Sequence, residues 1–533
     1  MTFRPAYVVT MAMSFLAGSA AIAESPKSSG WTSFRNGGTS QSAGDYRIQW
    51  NPTDGIVWQH ELEGYGQSTP VIYGTKVFLA SVIGPMKDQC CVSCRDLRTG
   101  ESLWRFKLPA ATKTSSNYMH ARAAPTPVVD ENGVFVFFEG GDLVALSHEG
   151  KKLWQRNLSQ DFGPFKNNHG LGSSPTQSDT AVILALEHQG PSWLVAIDKA
   201  TGKDKWKVER TAGNSWASPV VTHRDNTSLV LISSAGSVSA YGADTGKAVW
   251  SKSDLQGNSV PSPTVSGDYL LLGARLPEFG DTSAAAKSNL CLKLDGTSFN
   301  VAWQSDKVLS DYASPVVAED CAYYLNKSGV LTCVDLLTGK RHYTKRLNCT
   351  CWATPFVSNG RVYFFGKSGE THVIKAGPNF ERLAVNRLWP KDKPAKPETY
   401  VESFDSAGSH GHGSSGESDK GASGSRKRGL MGMLLKNDKD GDGVLTKEEL
   451  PPQFKRFATA GDKNGDGRLD QSEMKAMDES FKKRRAGSRE GARDPIVYGI
   501  AAANGTLLIR TGTRLYAIAD SQESTTTART ETP

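Results

Sequence analysis

Apolar positions fall in short alternating runs, and one run sets the pattern for the others. Residues 233–250 read SSAGSVSAYGADTGKAVW: Val238 and Ala240 alternate with polar neighbours, a turn follows at Asp244-Thr245-Gly246-Lys247, and a second run ends in Trp250. Period-two alternation predicts a strand. A glycine after a polar pair supplies the positive φ that such a turn needs. The phrase returns as RDLRTGESLW (95–104), ALSHEGKKLW (145–154) and AIDKATGKDKW (196–206). It is weaker in KLDGTSFNVAW (293–303), and CVDLLTGKRHY (333–343) puts tyrosine in place of tryptophan.

Each unit also opens alike. A small residue, proline and a third residue, most often apolar, stand at Thr69-Pro70-Val71, Thr126-Pro127-Val128, Ser174-Pro175-Thr176, Ser218-Pro219-Val220, Ser262-Pro263-Thr264, Ser314-Pro315-Val316 and Thr354-Pro355-Phe356. Proline at the first position of a strand costs no ladder bond, so it marks a strand start. The closing aromatics Trp58, Trp104, Trp154, Trp206, Trp250, Trp303, Tyr343 and Trp389 are spaced 46, 50, 52, 44, 53, 40 and 46 residues apart. Four short strands at that period are the mark of a β-propeller blade. Residues 496–518 hold one more unit without its last strand, and the orphan strand around Trp58 can supply it. The expectation is an all-β, eight-bladed propeller closed by an N-terminal strand, with blades over 31–389 and a final blade over 495–519.

The interruption between them reads differently. Residues 390–428 are rich first in proline and lysine, then in glycine and serine, and predict a flexible linker. His410 and His412 lie there, two ligands too few for a metal site on such a chain. Basic runs at 426–428 and 482–485 read as solvated linker. Between them stand DKDGDGVLTKEE and DKNGDGRLDQSE. Ca²⁺ takes six to eight hard oxygens, and this spacing wraps one loop around it. The first loop offers Asp438, Asp440, Asp442, Thr446 and Glu449, with the backbone carbonyl of Val444. The second offers Asp462, Asn464, Asp466, Asp470 and Glu473, with the carbonyl of Arg468. Gly443 and Gly467 make the sharp turns, and Leu445 and Leu469 form the apolar pair that joins the loops. Leu430, Met433 and Leu434 predict an entering helix. Pro451-Pro452 with Phe454 and Phe457 predict a middle one, and Met474, Met477 and Phe481 an exit helix. The stretch 429–482 resembles an inserted α-helical EF-hand pair with two Ca²⁺ sites. A structural clamp is favoured over a sensor, because exported proteins meet steady calcium.

The AxDxxTGKxxW repeat resembles the PQQ-binding-like propellers, which include quinoprotein alcohol dehydrogenases and the non-catalytic BamB-type assembly factors. ARAAPTPVV (121–129) and CWATPFVSNGRVYFFGKSG (351–369) look like a subgroup of exported, planctomycete-type propellers. The resemblance implies an adjacent-cysteine disulfide in any dehydrogenase member. Cys90-Cys91 matches in spacing, yet strand alternation explains it equally, and Cys94 offers other pairings. No catalytic residue is assigned, the cofactor-binding residues are unknown, and PQQ is not expected. His120, His169 and His188 could line the channel or serve the structure. There is no G-x-S-x-G elbow, H-E-x-x-H helix or phosphate loop.

Composition adds an address. Arg4, the apolar run 6–20 and Ala21-Ile22-Ala23 predict a signal peptide over 1–23, cleaved near Ala23. The residue after the cut, Glu24, is not a lipid-bearing cysteine. The expected product is periplasmic or secreted, monomeric, without a transmembrane segment, and ends in a disordered tail over 520–533. Eight cysteines in an oxidising compartment permit disulfides. Cys321 and Cys333 flank a hairpin turn at Lys327-Ser328-Gly329, either as a bridge or as two packed thiols. A net charge of +7 over 533 residues, not gathered on one face, gives no nucleic-acid footprint. The leading function is a non-catalytic scaffold that binds an envelope protein or glycan. The alternative is a PQQ-dependent dehydrogenase acting on alcohols or sugars.

Overall fold

Glycine turns separate runs of β-branched and aromatic residues, and each run becomes a strand. The computed structural model describes residues 30–114, 120–167, 169–224, 227–277, 282–305, 307–393, 435–438, 440–446, 448–450, 461–477, 479, 495–497 and 499–520. Among these, the strands form eight four-stranded antiparallel sheets and one two-stranded sheet. Blades 1 to 7 span 71–109, 128–157, 176–210, 220–252, 264–305, 316–346 and 356–387. Blade 8 takes three strands from the far end of the chain, Gly499–Ala503, Thr506–Arg510 and Arg514–Ile518. Its fourth strand is Ile56–Glu61, in register with Arg514–Ile518. The eight-bladed propeller with N-terminal closure is therefore as the repeat predicts. The signal segment, the histidines at 410 and 412, the basic runs, most of the linker, the tail and most of the residues expected to form the entering and middle helices lie outside the described residues.

Burial follows position in the blade. The second strand of blade 2, Gly133–Phe137, is buried at every residue, whereas the outermost strand Ile56–Glu61 alternates between half-buried and exposed. Inner strands are covered by neighbouring blades on both faces, and the outermost strand meets water.

The closing aromatic has a fixed place. Trp104 pairs across the ladder with Cys94, Trp154 with Ala145, Trp206 with Ala196, Trp250 with Ala240, Trp303 with Cys291, Tyr343 with Cys333 and Trp58 with Ala517. A small residue opposite leaves room for the ring. In blades 1 to 6 the register shifts at that pair, so an extra residue bulges the strand there. The indole then reaches the next blade: Trp58 Nε1 donates to Leu97 O, Trp104 to His148 O, Trp154 to Lys199 O, Trp206 to Ala243 O and Trp303 to Leu336 O. Trp389 departs from this expectation. Ala384 occupies the equivalent place opposite Val373. Trp389 lies beyond the strand, against Gly369, with its ring 6.2 Å from that of Tyr516 in blade 8.

The small residue before each proline links blade to blade. Thr69 N–H donates to Thr126 Oγ1, Thr126 N–H to Ser174 Oγ, Ser174 N–H to Ser218 Oγ, Ser218 N–H to Ser262 Oγ, Ser262 N–H to Ser314 Oγ and Ser314 N–H to Thr354 Oγ1, all at 2.8–3.1 Å. Proline at the next position cannot donate, so the preceding N–H and hydroxyl carry the link.

Inside this ring runs the irregular lead-in. Trp31 N–H donates to Ile72 O of blade 1, and Val129 N–H of blade 2 donates to Thr32 O. Arg35 Nη1 donates to Pro263 O before blade 5 at 3.1 Å, Gln41 Nε2 to Val317 O of blade 6 at 2.9 Å, and Val357 N–H of blade 7 to Ser40 O. A segment that bonds to blades on opposite sides of the ring must cross its axis. Residues 31–42 therefore plug the propeller, a role their irregular sequence did not announce.

All eight cysteines are buried and unbridged. Of the two readings of Cys321 and Cys333, the structure matches the packed thiols, both buried in one apolar cluster. The ladder pairs Cys333 with Tyr323 and Cys321 with Asp335, two residues out of the register the turn suggested.

Candidate functional site

Two aspartate-rich loops project their oxygens inward because glycine lets the backbone turn back. Gly443 has φ +78° and Gly467 φ +80°, and the N–H of each donates to the first aspartate of its loop, Asp438 Oδ2 and Asp462 Oδ2, both at 2.9 Å. Gly441 and Gly465 donate to the other oxygen of the same carboxylates at 2.7 Å. These bonds orient each first carboxylate toward the loop centre. In the first loop, oxygens of Asp438, Asp440 and Asp442 all lie within 4.8 Å of one another. Three hard, anionic donors that close repel each other, and a calcium ion is the counter-charge their chemistry suits.

The last position closes each loop differently. Glu473 is 6% exposed, and its Oε1 accepts the N–H groups of Lys463 and Asn464 at the start of its own loop. Glu449 Oε2 instead accepts from the N–H and hydroxyl of Thr446. Val444 and Arg468 donate their N–H groups to Asp442 and Asp466, and Glu473 N–H donates to Asp470 Oδ1. Leu445 pairs with Leu469 in the two-stranded bridge, as the apolar positions predicted. Beneath it Leu445, Leu450, Leu469 and Met474 form a small buried core with Leu435 and Met477 at its edge. Residues 471–477 are helical, which matches the expected exit helix.

The other singled-out residues lie in the blade strands and the loops between them. Cys90 and Cys91 lie side by side on Gln89–Asp96, one opposite Val82 and the other opposite Ser81, and strand alternation accounts for them. Burial pushes the Cys91 thiol up to about 11 and Cys94 to about 12. His188 is buried and its Nδ1 accepts the N–H groups of Lys166 and Gly190; burial holds its pKa below the usual value. The rings of His120 and His169 lie 6.3 Å apart, and His169 also faces Trp216. Sequence reading missed two buried ion pairs. Lys87 meets Glu139 at 3.0 Å and donates to Ala121 O, and Arg210 meets Glu187 at 3.0 Å while bonding Tyr241 Oη. No local pattern marks them, since each partner sits in a different strand or loop.

A family model described as outer membrane protein assembly factor BamB matches residues 19–191 and 190–402. The chain belongs to this PQQ-like propeller family. An EF-hand model matches 436–453 and 460–478, between blades 7 and 8 in the chain. Among curated relatives, the chain is 25% identical over 227 residues to outer membrane protein assembly factor BamB of Yersinia pestis, covering 42% of this chain and 52% of that protein. It is 26% identical over 223 residues to the Burkholderia pseudomallei protein of the same name, covering 41% and 52%. The chain thus spans about half the length of these relatives. A solved europium-containing methanol dehydrogenase superposes with a TM-score of 0.50 at 12% identity, over 68% of this chain and 86% of that one. That likeness shows the propeller fold alone. Among the described residues, no helix of this family member is long and apolar enough to cross a membrane.

Proposed function

We propose that the protein is an exported calcium-binding propeller that serves as a non-catalytic scaffold for a protein or glycan partner in the cell envelope. The observation that carries the calcium half is the pair of glycine-turned oxygen loops tied by Leu445 and Leu469. Asp438, Asp440, Asp442, Thr446 and Glu449 with the Val444 carbonyl hold one ion. Asp462, Asn464, Asp466, Asp470 and Glu473 with the Arg468 carbonyl hold the second. The ions clamp the loops as structural elements. The envelope half is supported by membership in a family described by an outer-membrane assembly factor. A plugged ring favours a surface that displays loops, and function in propellers resides in such loops. The working form is a periplasmic or secreted monomer.

The deciding experiment incubates purified mature protein with PQQ and Ca²⁺ and measures quinone retention, dye-coupled alcohol or sugar oxidation, and calcium stoichiometry. Two bound calcium ions without quinone retention or turnover support the scaffold. Turnover that disappears in a C90A/C91A variant would replace it with the dehydrogenase reading.

A further inference from the structure

The loop between blades 6 and 7 holds two thiols in contact. Cys349 and Cys351, separated only by Thr350, have their Sγ atoms 3.0 Å apart. The loop has little freedom to separate them. Leu347 N–H donates to Gly329 O, Cys351 N–H to Lys327 O, and Lys367 N–H to Thr350 O, so turns of both flanking blades grip it. The backbone of Cys351 also pairs with that of Gly366 in an isolated antiparallel β-bridge. A covalent S–S bond is ~2.0 Å long, so closing the pair asks for a short approach by groups already facing each other.

The two sulfurs are not equivalent. Cys351 is fully buried, whereas Cys349 is 7% exposed and lines an open groove of about 570 Å³ with Lys327, Arg346, Thr350, Trp352 and Glu370. Lys367 Nζ stands 3.5 Å from the Trp352 ring centre, and that ring stacks on Tyr312 at 4.3 Å. The groove thus pairs an aromatic wall with cations, features that suit an acidic peptide or peptide-like thiol compound. The Cys351 thiol and the His372 imidazole lower the Cys349 pKa to about 6, against burial and the Glu370 charge, which raise it. The Cys351 thiol is pushed well up by its contact with Cys349 and by burial. An acidified thiol on the groove residue with a second thiol in contact behind it is what stepwise exchange requires.

We propose that Cys349 and Cys351 form a thiol–disulfide exchange pair that reacts with an exchangeable disulfide carried on a peptide-like thiol in this groove. The Cys349 thiolate attacks one sulfur of the substrate disulfide, forming a mixed disulfide and expelling one substrate thiolate. Cys351, on losing its proton, attacks Cys349 sulfur and expels the second. Two electrons pass from the cysteine pair to the substrate disulfide, and two thiols leave.

The test equilibrates the full-length mature protein in glutathione buffers of graded redox poise, and in oxidised thioredoxin, then alkylates free thiols and maps them by peptide mass spectrometry. The expected result is reversible two-electron oxidation of the 349–351 peptide alone, with the other six buried cysteines unchanged. Response to glutathione disulfide identifies a small peptide-thiol source, and response only to oxidised thioredoxin identifies a protein disulfide. C351S should trap the mixed disulfide on Cys349, and C349S should abolish reaction at Cys351. A pair that stays fully reduced in every buffer, or that strong reductant cannot open once oxidised, overturns the proposal. The wild-type titration decides this even where a serine variant fails to fold.

Discussion

The indole of Trp104 donates to the carbonyl of His148 in the next blade at 2.9 Å, and the same ring lies on Gly150, where an added Cβ would come within 2.7 Å of it. Glycine with φ +82° both makes the turn and leaves the shelf on which the ring rests. The repeat T-G-x-x-x-W, or its E-G form here, is therefore one inter-blade device whose two halves serve different blades. Trp104→Ala should cost about 3 kcal/mol, as for large core truncations. Trp250→Ala should cost less, because Trp250 Nε1 has no bond of this kind and Gly296 offers no shelf. Urea unfolding of the two variants checks the order.

The hydroxyl ring predicts a second effect. Ser218→Ala removes the acceptor of the Ser174 N–H and leaves that buried donor unpaired, a loss of about 1–3 kcal/mol. Ser218→Thr keeps the oxygen and should recover most of it, as blades 2 and 7 already use threonine there. Denaturant midpoints of both variants give the comparison.

Acid stability should report on the blade turns. Hydrogen bonds from the Thr201 hydroxyl and N–H depress the Asp198 pKa, and those from Thr338 depress Asp335. A carboxylate depressed in the folded state stabilises it above the unfolded value of ~3.9, and that gain disappears as pH falls through the folded value. A D198N/D335N variant should be less stable at pH 7 and show a flatter loss below pH ~4. Thermal melts across that range measure it.

Blade closure makes a prediction about solubility. Glu61 Oε1 accepts from Arg514 Nη2 at 2.7 Å across a separation of 453 residues. Deleting residues 24–61 removes both the plug and the outer strand of blade 8, exposing an unpaired strand edge. Size-exclusion chromatography should show larger oligomers or aggregates than the full-length protein forms.

Removing calcium should loosen one region only. Glu473→Gln withdraws a carboxylate from the second loop, and Glu449→Gln from the first. Each should weaken binding at its own loop by at least about tenfold, since charge count sets affinity in such sites. Calorimetric titration and limited proteolysis of 435–479 with and without chelator read the change.

Some of this protein was written in local sequence. Blade number, strand starts, the glycine turns and the calcium loops depend on residues close together in the chain, so period and spacing reveal them. Trp389 misled because an aromatic at the right spacing need not share the right register, and blade 7 uses Ala384 there. The hairpin cysteines left two readings open for a similar reason: a turn that looks symmetric can shift the ladder by two residues.

Other features exist only after closure. The plug at 31–42, the ring of hydroxyl bonds and the grip on Cys349 and Cys351 join residues tens to hundreds of positions apart. A repeat specifies what each blade is, because its strands pair locally. What the blades enclose is decided when eight of them meet around one axis, where packing and unpaired backbone groups choose partners that no local pattern names.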